Sequence, residues 1–225
     1  MPWTRHAKIA FIGSHGIRKT TAALAFASVL QRAGRSVEFA REVVRDNPLG
    51  MNELATPEAQ LWVLTSQIRC ELELSAKAEC IVGDRGVMDN FAYYLRVCGG
   101  EDRYDIEPLV RAWSGTYDLV VRLMPDVAVR PDGVRSTNDR FRVEVEAILD
   151  ARLPRLVPRD RLIRESASRV TEAYDWWPLA EQLAARIGEP LLAEGVSRPH
   201  RRRQVGTGVR PHADSDDQMA LDLGR

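Results

Sequence analysis

Lysine is almost missing from this sequence: Lys8, Lys19 and Lys77 are the only three. Arginine carries the rest of the positive charge, and compositional bias of a source genome explains arginine abundance as readily as phosphate binding does. Each lysine therefore has to be explained by its place. Net charge is missing as well. The 32 basic and 32 acidic side chains cancel, so no global field steers the protein towards nucleic acid. Cysteine is scarce. Cys70, Cys80 and Cys98 are odd in number and lack metal-ligand spacing, which gives neither a disulfide framework nor a zinc site and fits a reducing compartment such as the cytoplasm. Cys80 lies in an apolar run, where it reads as a small buried hydrophobe. No apolar stretch approaches the ~20 residues of a membrane span, and the apolar run that follows Met1-Pro2-Trp3-Thr4-Arg5-His6 is too brief for a signal peptide.

What is present is an ordinary globular mixture, 44% hydrophobic and 28% charged over 225 residues, enough for one substantial core with a small lid or tail. Short apolar runs predict strands over 8–12, 37–40, 80–83 and 119–123, with a fifth, short strand near 161–163. Between them, apolar residues recur at helical spacing over 20–33, 56–78, 89–97, 106–113, 141–153 and 177–187; Leu61, Leu64, Ile68 and Leu72 mark the longest of these. Strands alternating with helices predict an α/β fold, a parallel five-stranded sheet with helices on both faces. The expected organisation is one domain over 1–187, an arginine-rich stretch near 129–142, and a flexible tail over 188–225 punctuated by Pro190, Pro199 and Pro211. Arg201-Arg202-Arg203 could touch nucleic acid, but Asp214, Asp216 and Asp217 offset that charge.

One segment carries specific chemistry. Gly13-Ser14-His15-Gly16-Ile17-Arg18-Lys19-Thr20-Thr21 lies between the first strand and the first helix. A glycine-containing turn in that place exposes backbone N–H groups, and the helix N-terminus adds a dipole favourable to phosphate. The usual pattern for such a loop is G-x-x-x-x-G-K-[ST]. Here Gly13 opens it, Lys19 can reach the β and γ phosphates, and Thr20 can place its hydroxyl on Mg²⁺. Arg18 stands where the second glycine belongs. Its side chain must point away from a nucleotide or contact phosphate itself.

The order of several further motifs makes the chain resemble the P-loop ATPase/kinase domains grouped with the ribosylnicotinamide kinase part of the NadR proteins and, more distantly, the deoxynucleoside and thymidylate kinases. The resemblance spans roughly 8–184. It rests on the loop, on Arg41-Glu42-Val43-Val44-Arg45 after the second strand, on Asp84-Arg85-Gly86 with Asp89 and Tyr93 after the third, and on Asp132-Gly133-Val134-Arg135 followed by Arg140 and Arg142. It implies a P-loop NTPase fold of the nucleoside/nucleotide kinase type, ATP and Mg²⁺ as cofactors, a nucleoside or nucleotide as acceptor, and homodimers as an ordinary state. By the same resemblance, Asp84 orders Mg²⁺ beside Lys19 and Thr20, and Arg85 contacts a substrate phosphate or shapes the acceptor pocket. Glu42 takes the proton of the acceptor hydroxyl. Arg45, Asp89, Tyr93 and Arg142 line the acceptor site, and Arg135, Arg140 and Arg142 belong to a lid that closes on the transferred phosphoryl group.

Plainer readings stand beside these. Asp84 and Arg85 could form an ion pair at a strand end, and Glu42 could pair with Arg45 on the surface for only about 0.2–0.5 kcal/mol. The lid arginines could be a solvated loop, His15 a simple turn residue, and Trp62, Phe91, Tyr93 and Tyr94 core residues instead of base-stacking ones. A polynucleotide or modified-base DNA kinase would need a long basic groove, which the balanced charge disfavours. A nucleotide-dependent switch or a pseudoenzyme would bind or hydrolyse ATP without transferring phosphate to an acceptor.

Overall fold

The computed structural model describes residues 2, 4–50, 55–126 and 139–198. Five strands form one sheet: β1 (Ala7–Ile12), β2 (Val37–Ala40), β3 (Cys80–Asp84), β4 (Leu119–Met124) and β5 (Leu162–Ser166). Their order is β2-β3-β1-β4-β5 and every pairing is parallel. The six helices among the described residues are α1 (Lys19–Arg32), α2 (Pro57–Ser75), α3 (Val87–Val97), α4 (Glu107–Ser114), α5 (Asp139–Leu156) and α6 (Trp177–Ile187). This is the parallel five-stranded α/β arrangement that the alternation of runs predicts, and its topology is of the P-loop nucleotide-kinase type.

The central strands are apolar throughout because both of their faces are covered. Ile9 and Phe11 of β1 point into a core built with α1 and α6, whereas Ala10 and Ile12 point into a second core built with α2, α3, α4 and α5. In the first core, Phe11 meets Phe26 of α1 at 5.7 Å between ring centroids and Trp176 edge-on at 5.4 Å. Parallel pairing puts all carboxyl ends on one edge. Register sets Phe11 opposite Asp84 and Ala40 opposite Gly83, so the chain leaves β1, β2 and β3 at the same level.

The opposite end of the sheet holds a buried polar cluster. Glu71 of α2 accepts from Lys8 Nζ at 2.8 Å, Trp113 Nε1 at 2.8 Å, Tyr117 Oη at 2.7 Å and Gln67 Nε2 at 2.9 Å. Lys8 lies 4.4 and 4.3 Å from the ring centroids of Trp113 and Tyr117, so its ammonium is both ion-paired and faced by aromatic rings. Burial lowers the Lys8 pKa even so, with Glu71 opposing the shift. The lysine that sequence composition made conspicuous is thus a structural pin joining β1, α2 and α4.

Several boundaries differ from expectation for local reasons. α2 starts at Pro57 because the Thr56 hydroxyl caps it, accepting from the Ala59 amide at 3.1 Å. It ends at Ser75, not at 78. α3 begins two residues early, at Val87, because Asp89 turns back to accept the Gly86 amide at 2.8 Å. β5 starts at Leu162, after a 3-10 turn over Arg159–Arg161, and runs on to Ser166. Part of the stretch expected as a tail is tied down. Arg35 donates to the Leu191 and Pro190 carbonyls at 2.8 and 2.6 Å, and the Ala193 amide donates to Ala33 at 2.8 Å. Arg198 pairs with Glu181 of α6 at 2.9 Å. Residues 199–225, including the arginine triplet, lie outside the described residues. Among the described residues no helix is long and apolar enough to cross a membrane.

Candidate active site at the carboxyl edge of the sheet

β1 delivers the chain into the turn that begins at Gly13, with no room there for a side chain. A Cβ on Gly13 would come within 2.3 Å of Ile17 Cδ1 and 2.8 Å of Arg122 Nη1, and its φ is +142°. The loop returns tightly on itself and feeds α1, whose first residue is Lys19. The Lys19 side chain curls back over the loop and donates to the Ser14 carbonyl at 2.5 Å. The Thr20 hydroxyl donates to Asp84 Oδ2 at 2.6 Å, joining the loop to the end of β3. A hydroxyl and a carboxylate in contact at a helix N-terminus are the hard oxygen donors that Mg²⁺ prefers.

A second set of groups follows β3. Gly83 admits the carbonyl of Arg85 to 2.6 Å from where a Cβ would stand, and Arg85 itself takes φ +103°. That left-handed backbone is costly for a residue other than glycine, of order 1–3 kcal/mol, and such strain is found where a site needs a side chain aimed in one direction. Here it aims the guanidinium between two carboxylates. Arg85 Nε donates to Glu42 Oε1 at 2.5 Å and Nη1 to Asp89 Oδ2 at 3.3 Å, and the guanidinium carbon lies 5.0 Å from the Tyr93 ring centroid. Burial works against the charge of Arg85, but Glu42 and its neighbours outweigh it and push the pKa above the ordinary range. The Tyr93 hydroxyl accepts the His15 amide at 2.9 Å, which links the loop to α3.

The Lys19 ammonium is buried, and burial first, then the positive charge of Arg85, lowers its pKa from 10.5 to about 8. Two opposite pH trends follow from that shift. The unfolded chain holds this proton up to 10.5 and the folded chain only up to about 8, so across that window the unfolded state binds more protons and the Lys19 contribution to stability improves as pH rises. A nucleotide needs the charged form. The affinity of the free protein for Mg·ATP is therefore expected to hold below pH 8 and to weaken above it, by up to about tenfold per pH unit. Titration of ATP binding between pH 6.5 and 9.5 reads this, and a flat profile would show that Lys19 does not titrate there.

The model of the AAA domain matches residues 8–159, more than half of the chain. The chain belongs to the AAA domain family. Among solved structures, deoxyadenosine kinase from M. mycoides with bound dCTP is similar to this AAA domain at a TM-score of 0.51 and 14% identity. That match covers 80% of this chain and 97% of the kinase, and at such identity it speaks for the fold. No curated protein is similar enough to match the chain.

Several residues singled out in the sequence have defined surroundings. Asp84 and Arg85 do not pair as strand-end neighbours: one faces Thr20, the other Glu42 and Asp89. Glu42 pairs with Arg85 at the site, and Arg41 is the residue that bonds Asp46, at 2.5 and 3.3 Å. Arg45 is exposed in the 3-10 turn Val44–Asp46, one turn beyond Glu42. Phe91 and Tyr94 are fully buried and stacked on each other at 6.0 Å, as core residues, whereas Tyr93 faces the site. Arg18 takes the left-handed backbone, φ +64°, that the motif's glycine would supply without strain, and its guanidinium points away from the loop interior to the Val170 carbonyl at 3.2 Å. Of the arginines assigned to a lid, Arg140 pairs with Glu144 at 2.9 Å on the first turns of α5 and Arg142 is half-buried beside it. Arg135, with Asp132, Gly133 and Val134, lies outside the described residues.

The AAA domain also has site neighbours that sequence reading missed. Phe141 of α5 packs 5.4 Å from His15 and 5.7 Å from Tyr93. Glu146, also of α5, accepts the Ser14 amide at 2.8 Å and pairs with Arg122, an arginine buried to 0% exposure in the middle of β4. The signal was present: an arginine inside an otherwise apolar strand demands an acidic partner, and Glu146 with Asp150 sits four residues apart on a helix that must pack against it.

Proposed function

We propose that the protein is an ATP- and Mg²⁺-dependent phosphotransferase whose acceptor is a nucleoside or nucleotide. The reading is carried by one observation: Lys19 and Thr20 of the phosphate loop converge with Asp84 at the end of β3, and the Glu42–Arg85–Asp89 cluster opens beside them. The resemblance to ribosylnicotinamide and deoxynucleoside kinases supports it by the order of the same motifs.

In this reading the loop amides from Gly16 to Thr21, with the α1 N-terminus, bind the triphosphate of ATP. Lys19 exchanges its bond to the Ser14 carbonyl for the β and γ phosphate oxygens, leaving a charged group where negative charge shifts during transfer. Thr20 and Asp84 would hold Mg²⁺, which would supply charge neutralisation of the triphosphate. Among the described residues no cluster of three or more His, Cys, Asp or Glu forms a cage. A magnesium ion bound by one or two side chains draws its remaining ligands from phosphate and water, so the donor set fits.

Glu42 acts on the acceptor. Its carboxylate is ion-paired with Arg85 and stands at the level of the loop, where it can take the proton of an attacking hydroxyl once that hydroxyl displaces part of the Arg85 contact. Arg85 and Asp89 orient the acceptor, and Tyr93 and Arg45 line its site. Arg140 and Arg142 at the start of α5, with Arg135, provide cations for the transferred phosphoryl group.

The test is an ADP-release screen with and without Mg²⁺ over nucleosides, nucleoside monophosphates and 5′-hydroxyl oligonucleotides. Release that requires Mg²⁺ and a nucleoside or monophosphate is expected. Release with oligonucleotides alone would transfer the acceptor class to polynucleotides, and ATP hydrolysis indifferent to every acceptor would leave a nucleotide-driven switch.

A further inference from the structure

The phosphate loop is not held by β1 and α1 alone. The amide of its second residue, Ser14, donates to Glu146 Oε1 at 2.8 Å, across a sequence separation of 132 residues. Glu146 in turn is fixed by Arg122, whose Nη2 donates to the other carboxylate oxygen. Arg122 is fully buried, and its Nη1 also donates to the Leu123 carbonyl at 2.8 Å. That same Nη1 lies where a Gly13 Cβ would touch it. The first turn of the loop therefore rests on a β4 arginine and hangs from an α5 glutamate.

A buried ion pair is weak evidence for stability, because desolvation of both charges offsets most of their attraction. Arg122 even keeps its Nε without a hydrogen-bond partner among the described residues. Asp150, the other carboxylate facing Arg122, is 3.5 Å away and largely exposed. An apolar pair would pack β4 against α5 as well. What an apolar pair would not do is accept the Ser14 amide.

We propose that Glu146 is a positioning residue for the phosphate loop, held in place by Arg122 and acting through the Ser14 amide, so that the loop and helix α5 move as one body. The consequence for catalysis rests on the ATP-dependent reading above. α5 carries Arg140 and Arg142 on its first turns and Phe141 against His15. A rigid link from Glu146 to Ser14 sets the distance between those arginines and the amides that bind the triphosphate. Against burial, which favours the neutral acid, the bonds from Arg122 and Ser14 hold the Glu146 pKa below its ordinary value, so the link persists at neutral pH.

Three variants separate positioning from packing: E146A, the double replacement R122M/E146M, and D150N. Two readouts apply to each. One is amide hydrogen exchange of the peptide containing residues 13–19; the other is Mg·ATP affinity with KM and kcat. In R122M/E146M the ion pair is removed as a unit and the packing is refilled, so the melting temperature should stay near that of the parent protein. Exchange at the Ser14 amide should nevertheless rise at least about tenfold, and ATP affinity should fall about tenfold, with KM rising more than kcat falls. E146A should show the same changes with reduced stability, and D150N should show neither. Parent-like exchange and affinity in the double variant would overturn the proposal, as would a D150N variant that matches E146A. If E146A does not fold, the double variant decides. If the parent protein itself fails to bind ATP, the function is wrong, and the exchange measurement still decides whether Glu146 holds the loop.

Discussion

Replacing Lys19 by alanine should remove ATP-dependent phosphate transfer, with kcat down by at least about 10²–10³-fold, while the protein stays folded. The two halves of that expectation have separate causes. The loss follows from charge: transfer of a phosphoryl group asks for positioned cations, and Lys19 is the lysine at the loop, in contact with the Ser14 carbonyl and one residue from Thr20. The persistence of the fold follows from burial. A lysine whose pKa is lowered to about 8 by its surroundings is an unfavourable charge in the folded state at neutral pH, so its removal takes away a cost as well as one hydrogen bond to a loop carbonyl. The melting temperature should stay level or rise slightly at pH 7, and the pH dependence of ATP binding near 8 should vanish with the side chain. Turnover at the parent rate in a folded K19A protein would end the kinase reading. A collapse of the fold would show instead that the lysine is structural.

Glu71→Ala should have the largest effect on stability, about 3–5 kcal/mol, which is a large share of the 5–15 kcal/mol typical of a domain. The substitution leaves the Lys8 ammonium buried between two aromatic rings with its counter-charge gone. It also takes the acceptor from Trp113 Nε1, the Tyr117 hydroxyl and the Gln67 amide. Gln67 and Tyr117 are buried and find no replacement acceptor in water. Urea unfolding followed by far-UV circular dichroism measures the loss through the midpoint. A midpoint unchanged from the parent would mean that the cluster is solvated in solution. The double replacement of Lys8 and Glu71 by apolar residues should cost much less than E71A, because the charges then leave together.

The sheet and most helices could be read from the order of residues because their signals are local. Apolar runs such as Leu119-Val120-Val121 and the recurring leucines of α2 announce their own periodicity. The loop could be read for the same reason, since Gly13 and Lys19-Thr20 are close in sequence. Glu42, Asp84, Arg85 and Asp89 needed the family resemblance to be picked out, and the structure brings them together at strand ends that lie far apart in the chain. The role of Arg18 was not readable. Whether an arginine in a glycine position blocks the loop or leaves it open depends on one backbone angle and on a carbonyl, Val170, far along the chain. Glu146 was missed because its partners, Ser14 and Arg122, belong to two other elements. Arg122 alone could have raised the question. The bonds from Arg35 to Pro190 and Leu191 were not readable either, since those two residues act through their carbonyls and leave no trace in side-chain patterning.

The strand order bears on how the chain reaches this state. β1 is synthesised before both of its partners, and it pairs with β3 on one side and β4 on the other, never with the strand that follows it. Until Leu119–Met124 has left the ribosome, the central strand of the sheet has an unpaired edge, and a nascent chain stopped short of β4 offers that edge to any neighbour. All pairings are parallel and require long crossovers, so loop entropy is spent before contacts repay it. Folding should be slow for a chain of this size, and both edges of β1 are covered only once β4 has emerged.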